Sequence, residues 1–133
     1  MNRSLNPASV AAPKGAYSHG VEVPPGARIV FVAGQGGFDR DGVLADSLTA
    51  QTEQALANVL AIIEDAGMYA SDIVKMTTYI VSDLTGPELM APIAGVFAKH
   101  LGDARPSSTA VIVKGFAVPE MLIEIEAIAA KPG

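Results

Sequence analysis

The C-terminal run Leu122-Ile123-Glu124-Ile125-Glu126-Ala127-Ile128-Ala129 constrains this chain more than any other stretch. Its aliphatic content reads as a β-strand, and side chains alternate between faces along a strand. Glu124 and Glu126 therefore point the same way, together with Leu122 and Ile128. An ionised carboxylate buried without a partner costs several kcal/mol. That face either opens onto water or borders a polar cleft in which a carboxylate has chemistry to do.

Composition narrows the class. The 133 residues fit one domain, and half of them are hydrophobic with 17% charged, enough for a real core. With no Trp and only 5% aromatics, that core must be aliphatic. The formal net charge of −5 argues against nucleic-acid binding through a basic surface, and no polybasic segment points to an anionic membrane. No apolar run approaches the roughly 20 residues of a membrane span. The first ten residues lack the apolar stretch of a secretory signal. Without cysteine there is no disulfide, thiolate nucleophile or thiolate metal site. A cytoplasmic protein is the simplest expectation.

Residues 1–13 show no period and read as a loosely held arm. A first strand is expected over 17–23, ended by Pro24-Pro25-Gly26, and a second over 29–33. Gly34, Gly36 and Gly37 follow as a turn, and 38–44 as a loop or short hairpin. Asp46 or Ser47 caps a helix to about residue 66, whose stripe holds Ala55, Leu56, Val59 and Ile63, with Gly67 as its C′ residue. A strand over 73–81 puts Lys75, Thr77 and Tyr79 on one face and Met76, Thr78 and Ile80 on the other. Gly86-Pro87 opens a second helix that Gly102 ends. Strands over 109–114 and 122–129 complete the chain.

The order β-β-α-β-α-β-β, without strict βαβ alternation, predicts a single-domain α+β sandwich with both helices on one face of a mixed sheet. The opposite face would then carry Ile29, Phe31, Tyr79, Val111 and Ile125. A contiguous apolar face on a soluble domain marks an interface, so the expectation is an oligomer whose sheets close around a shared core. The alternative is a flat sheet with scattered exposed apolar residues.

Standard catalytic motifs are missing: there is no Walker loop, Rossmann fingerprint or nucleophile elbow. Gly34-Gln35-Gly36-Gly37 follows a strand but no helix opens directly after it, so its glycines serve a bend or a close approach. His19 and His100, the only histidines, have no ligand spacing and predict no metal site. His100 suits a solvated cation at a helix end, whereas His19, beside Tyr17 between glycines, could line a cleft. Ser107, Ser108 and Thr109 open a strand with three hydroxyls, which either hold a small polar ligand or satisfy turn backbone groups. Glu124 and Glu126 are the acid–base candidates, since a carboxyl among aliphatics shifts upward and can shuttle protons. The structural alternative is a Glu bonded to backbone N–H groups or a neighbouring chain.

The segments Gly15-Ala16-Tyr17-Ser18-His19-Gly20, Phe31-Val32-Ala33-Gly34-Gln35, Asp72-Ile73-Val74-Lys75-Met76-Thr77-Thr78-Tyr79-Ile80, Arg105-Pro106-Ser107-Ser108-Thr109 and Ile123 to Ala129 together resemble the Rid (reactive intermediate deaminase, YjgF-like) family. The resemblance spans about residues 15–129. It implies a chorismate-mutase-like fold and a homotrimer in which three sheets enclose a barrel, with a small-molecule cleft between neighbouring subunits. It also implies hydrolysis of reactive enamines and imines to carbonyl compounds and ammonia, without cofactor or metal. By resemblance Glu124 is the glutamate that handles water, and Tyr17 is the cleft tyrosine. Gly34 is the cleft glycine, and Ala110 takes a position often held by cysteine. Thr109 lies between Ala110 and Ser108 on the same strand and is counted among the substrate-binding residues.

Two positions depart from the family pattern. Ala33 stands where active members commonly carry serine, and Ser108 where they carry the arginine that anchors a substrate carboxylate. A charged hydrogen bond contributes about 1.5–3 kcal/mol and a neutral one about 0.5–1.5, so carboxylate binding through Ser108 alone should fall about tenfold or more. Arg105 is expected in the preceding turn and Lys114 at the wrong end of the strand. The expectation is therefore enamine or imine hydrolysis with altered substrate preference, or else a trimer that binds a small metabolite in the same cleft without turnover.

Overall fold

The computed structural model describes all 133 residues. Its centre is a four-stranded mixed sheet built from β3 (Arg28–Gln35), β6 (Ile123–Lys131), β4 (Ile73–Ile80) and β5 (Ser107–Ile112), in that spatial order. β6 runs antiparallel to both neighbours, while β4 and β5 are parallel and joined through helix α2 (Gly86–Leu101). Helix α1 (Leu48–Asp65) links β3 to the turn before β4. The expected α+β sandwich with two helices on one sheet face is thus the observed architecture.

The front of the chain differs from expectation. Residues 3–5, assigned to a periodless arm, form strand β1 (Arg3–Leu5), which pairs antiparallel with β2 (Gly20–Glu22) as a separate two-stranded sheet. The first strand is therefore shorter than 17–23 and does not join the main sheet. Arg3 and Glu22, directly opposite each other, form a bidentate pair that favours this register.

Both helices end as their residues dictate. Ser47 accepts from the backbone N–H of Ala50, and Gly67 and Gly102 take positive φ of 74° and 54° just past the helix ends. The α1 stripe packs Ala55, Leu56, Val59 and Ile63 onto the sheet, and α2 adds Leu89, Ile93 and Val96. From β6 the core takes Ile123, Ile125, Ala127 and Ala129, and the intervening Glu124, Glu126 and Ile128 face away from the helices. Ile125 is accordingly fully buried beneath the helices, not on the outward face. The strict alternation with its two glutamates requires this. Ile29, Phe31 and Val111 do lie outward, 51%, 75% and 41% exposed.

A charged contact clamps the second turn of α1 to the last turn of α2. Glu53 of α1 accepts from Lys99 Nζ at 2.9 Å and pairs with His100 Nε2, both at the end of α2. His100 is thus held against α1 and is not simply a solvated helix-end cation. The His100 bond first, and then the Lys99 bond, hold the Glu53 carboxyl below its ordinary value of 4.5. A carboxyl depressed in the folded state stabilises at neutral pH, and its contribution is lost as pH falls through the depressed value. Urea unfolding followed over an acid pH series is expected to show stability falling below about pH 4.5. Glu53→Gln should flatten that part of the curve.

Candidate functional site

β3 is interrupted where the site begins. Its register with β6 shifts between Val32 and Gln35, so Ala33 and Gly34 bulge out of the ladder opposite the start of β6. The bulge brings Gly34 against Glu124. A Cβ at position 34 would stand 2.6 Å from Glu124 Oε1 and 2.7 Å from its Cδ, so only glycine leaves room for the carboxylate here. Glu124 and Gly34 together line a cavity of about 590 Å3 that also takes in Arg40, Gln54, Asn58 and Met121.

The loop that walls this cavity is held from α1. Asn58 Nδ2 donates to the carbonyls of Phe38 and Gly36 at 2.8 and 3.3 Å, and Gln54 Nε2 donates to Asn58 Oδ1 at 2.8 Å. One turn earlier the buried Gln51 donates to Ala45 and Glu120 carbonyls and accepts from Leu122 N–H, fixing the entry to β6. Gln51, Gln54 and Asn58 went unnoticed in the sequence, although their 3–4 spacing forms a polar stripe beside the apolar one.

Glu126 has a different task. Tyr79 Oη donates to its Oε1 at 2.8 Å on the outward sheet face. That bond, followed by burial and by the charges of Glu126 and Glu124, raises the Tyr79 hydroxyl above its ordinary value. On the same face Lys75 Nζ donates to Thr109 Oγ1 at 2.7 Å, so Thr109 is engaged by the sheet itself. Ala33 borders a shallow hollow of about 370 Å3 here with Phe31, Lys75 and Glu126. Ala110 lies exposed on the edge strand β5.

Tyr17 and Ser108 meet elsewhere. Ser18, buried, donates through Oγ to the Arg105 carbonyl at 2.6 Å, and its N–H donates to the Pro106 carbonyl at 3.0 Å. This ties the Tyr17 segment to the start of β5. Tyr17 stacks edge-on against His19, whose ring nitrogen reaches the Ala11 carbonyl. Tyr17 and Ser108 line a second cavity, about 400 Å3, beneath α2, with Ile93, Phe97, Thr78, Lys14 and Arg105. Arg105 occupies the expected turn yet borders the same cavity as Ser108, which its sequence position did not suggest. Lys114, by contrast, lies toward Val81 and Asp83 at the other end of the strands. Ser107 donates to the Val74 carbonyl at 2.6 Å, beside the irregularity in β4, so its hydroxyl satisfies backbone.

Of the seven residues singled out from sequence, the fold therefore joins Gly34 with Glu124 and Tyr17 with Ser108, in separate cavities. Ala33, Thr109 and Ala110 lie on or beside the outward face and β5 edge. No three His, Cys, Asp or Glu side chains converge on a point where they could hold a metal ion.

The model of the endoribonuclease L-PSP family matches residues 8–131. The chain belongs to the Rid/YjgF family. A 2-iminobutanoate/2-iminopropanoate deaminase of Salmonella typhimurium is 34% identical over 98% of this chain and 99% of its own length. A RutC family protein of Pyrococcus abyssi is 34% identical over 90% and 89%. The crystal structure of the Rid-family protein YyfB from Yersinia pestis superposes with a TM-score of 0.85 at 34% identity, covering 98% of each chain. As in those Rid/YjgF relatives, the match runs nearly end to end, so both cavities fall within the shared fold. No helix of this Rid/YjgF chain is long and apolar enough to cross a membrane.

Proposed function

We infer that three copies of the chain assemble sheet to sheet, and that each seam joins the Glu124 half-site of one copy to the Tyr17 half-site of the next. The reading is carried by one observation: Gly34 and Glu124 share a cavity that excludes Tyr17 and Ser108. The family resemblance groups all four in a single cleft, and a second copy is what would reunite them. The outward Ile29, Phe31 and Val111 supply apolar surface for such a seam.

The composite site is a cofactor-independent hydrolase of reactive enamines and imines, with altered substrate preference. The name of the Salmonella relative supports that reaction class. An enamine first takes a proton on carbon and gives one up from nitrogen, becoming an imine. The Glu124 carboxylate then draws a proton from water as the water oxygen bonds the imine carbon. Both water protons end on nitrogen, the C–N bond breaks, and a carbonyl compound and ammonia leave. The net charge of −5 weighs against avid RNA binding.

The direct assay is ammonia release from enamines generated in situ by an amino-acid lyase. The composite nature of the site is tested by mixing. Glu124→Gln and Tyr17→Ala proteins, each inactive alone, are expected to regain activity when unfolded and refolded together, because some seams then carry both native halves. Failure to regain activity in properly assembled mixtures would end the shared-site reading. Ser108 favours a second reading, a trimer that binds a small metabolite without turnover; stabilisation by 2-oxo acids with no product from any enamine would select it.

A further inference from the structure

The lining of the cavity beneath α2 combines cationic side chains with hydrocarbon. Lys14 and Arg105 border it and no acidic side chain does. Arg105 belongs to no ion pair. Its Nη1 donates to the carbonyls of Gly102 and Ala104, both at 2.9 Å. Those bonds steady the guanidinium and leave Nε and Nη2 without a partner in the protein. Ile93 and Phe97 add hydrocarbon to the same lining. Thr78, 2% exposed, lines the same space, and its Oγ1 is a buried hydroxyl with no partner in the protein.

A steadied guanidinium with free N–H groups gains most from a planar anion that can take two of them at once. The hydrocarbon wall gains from an aliphatic chain, and a partnerless hydroxyl from a polar substituent on that chain. The size suits a small metabolite. We propose that Arg105, assisted by Lys14, is the carboxylate anchor of this chain, and that the ligand is a branched aliphatic acid carrying an oxo or imino group, its chain laid against Ile93 and Phe97. This rests on the reading of the cavity as one half of the seam site. Arg105 thereby supplies from the turn the cation that Ser108 lacks.

The probes are 4-methyl-2-oxopentanoate and its neutral amide, titrated calorimetrically into the full-length wild-type protein. The acid is expected to bind about tenfold tighter or more, the margin of a charged over a neutral hydrogen bond. Arg105→Gln should erase the preference for acid over amide, and Lys14→Gln should reduce it less. Equal binding of acid and amide by the wild type, or a preference that survives in folded Arg105→Gln, overturns the proposal. Should Arg105→Gln fail to fold, Arg105→Lys decides. A several-fold loss for the acid alone supports the anchor, and equal loss for both probes, or none, overturns it. Imine hydrolysis that persists with binding insensitive to Arg105 sinks this inference and spares the catalytic one. An Arg105-dependent preference without any hydrolysis does the reverse.

Discussion

Glu124→Gln is expected to lower imine hydrolysis by about 10²–10⁴-fold, the usual worth of a positioned general base, with little change in folding. The amide keeps the size of the side chain and its fit over Gly34 but cannot take a proton from water. Little stability should be lost, because Glu124 is half-buried on the outward face and not part of the aliphatic core. Glu126, two residues on, is already engaged by Tyr79 and cannot stand in. Initial rates of ammonia release, with sedimentation to verify assembly, make the measurement. Undiminished rates in a well-assembled variant would remove Glu124 from the chemistry. Gly34→Ala offers a companion test. The atoms nearest the new methyl would be Oε1, Cδ and Cγ of the Glu124 side chain, which can swing away, so the carboxylate would be displaced at little cost to the fold.

Gly37→Ala is expected to have the largest effect on stability. A Cβ there would lie 2.5 Å from Gln51 Cα and 2.8 Å from both its Cβ and its carbonyl oxygen. These atoms belong to the body of α1 and cannot rotate away. Either α1 retreats from the glycine loop, losing the Gln51 bonds to Ala45, Glu120 and Leu122, or the loop deforms. Overpacking of this kind costs about 1–3 kcal/mol, a fall in Tm of about 3–12 °C for a domain of this size. Scanning calorimetry reads it directly. Gly115→Ala, outside any helix and with nothing within 4 Å, serves as the control. A Tm within a degree of wild type for Gly37→Ala would show that α1 and this loop are not in rigid contact.

The helices and the central strands were legible because each is signalled locally. Ser47 and Gly67 bracket α1, Pro87 and Gly102 bracket α2, and Glu124 and Glu126 mark the outward phase of β6. The same alternation should have put Ile125 inward. Grouping it with Phe31 ignored the phase that its own neighbours impose. Resemblance named the candidate residues, but their division between two cavities is not legible in the sequence. Spacing along a chain does not say that Val32 to Gln35 slips its register, and that slip is what carries Gly34 to Glu124. Nor does it say that Ser18 fastens Tyr17 to the start of β5, some ninety positions away, as its bond to Arg105 does. Because Arg105 precedes the strand, its sequence position points away from the site. A turn residue can still border the space its strand encloses, and the two carbonyls that hold Arg105 come from the end of α2 and its connection, which no pattern in residues 105–109 announces.

In the proposed trimer the Tyr79–Glu126 and Lys75–Thr109 pairs would set how strictly neighbours must mate on the open side of the sheet. Purely greasy surfaces can slide over one another with little penalty, whereas a misaligned copy would press hydrocarbon onto the Lys75 and Glu126 charges and take them out of water. In the proposed trimer the sheet would therefore carry its own key: hydrocarbon at the margins would draw a companion in, and the hydrophilic centre would reject every alignment but the one that accommodates it.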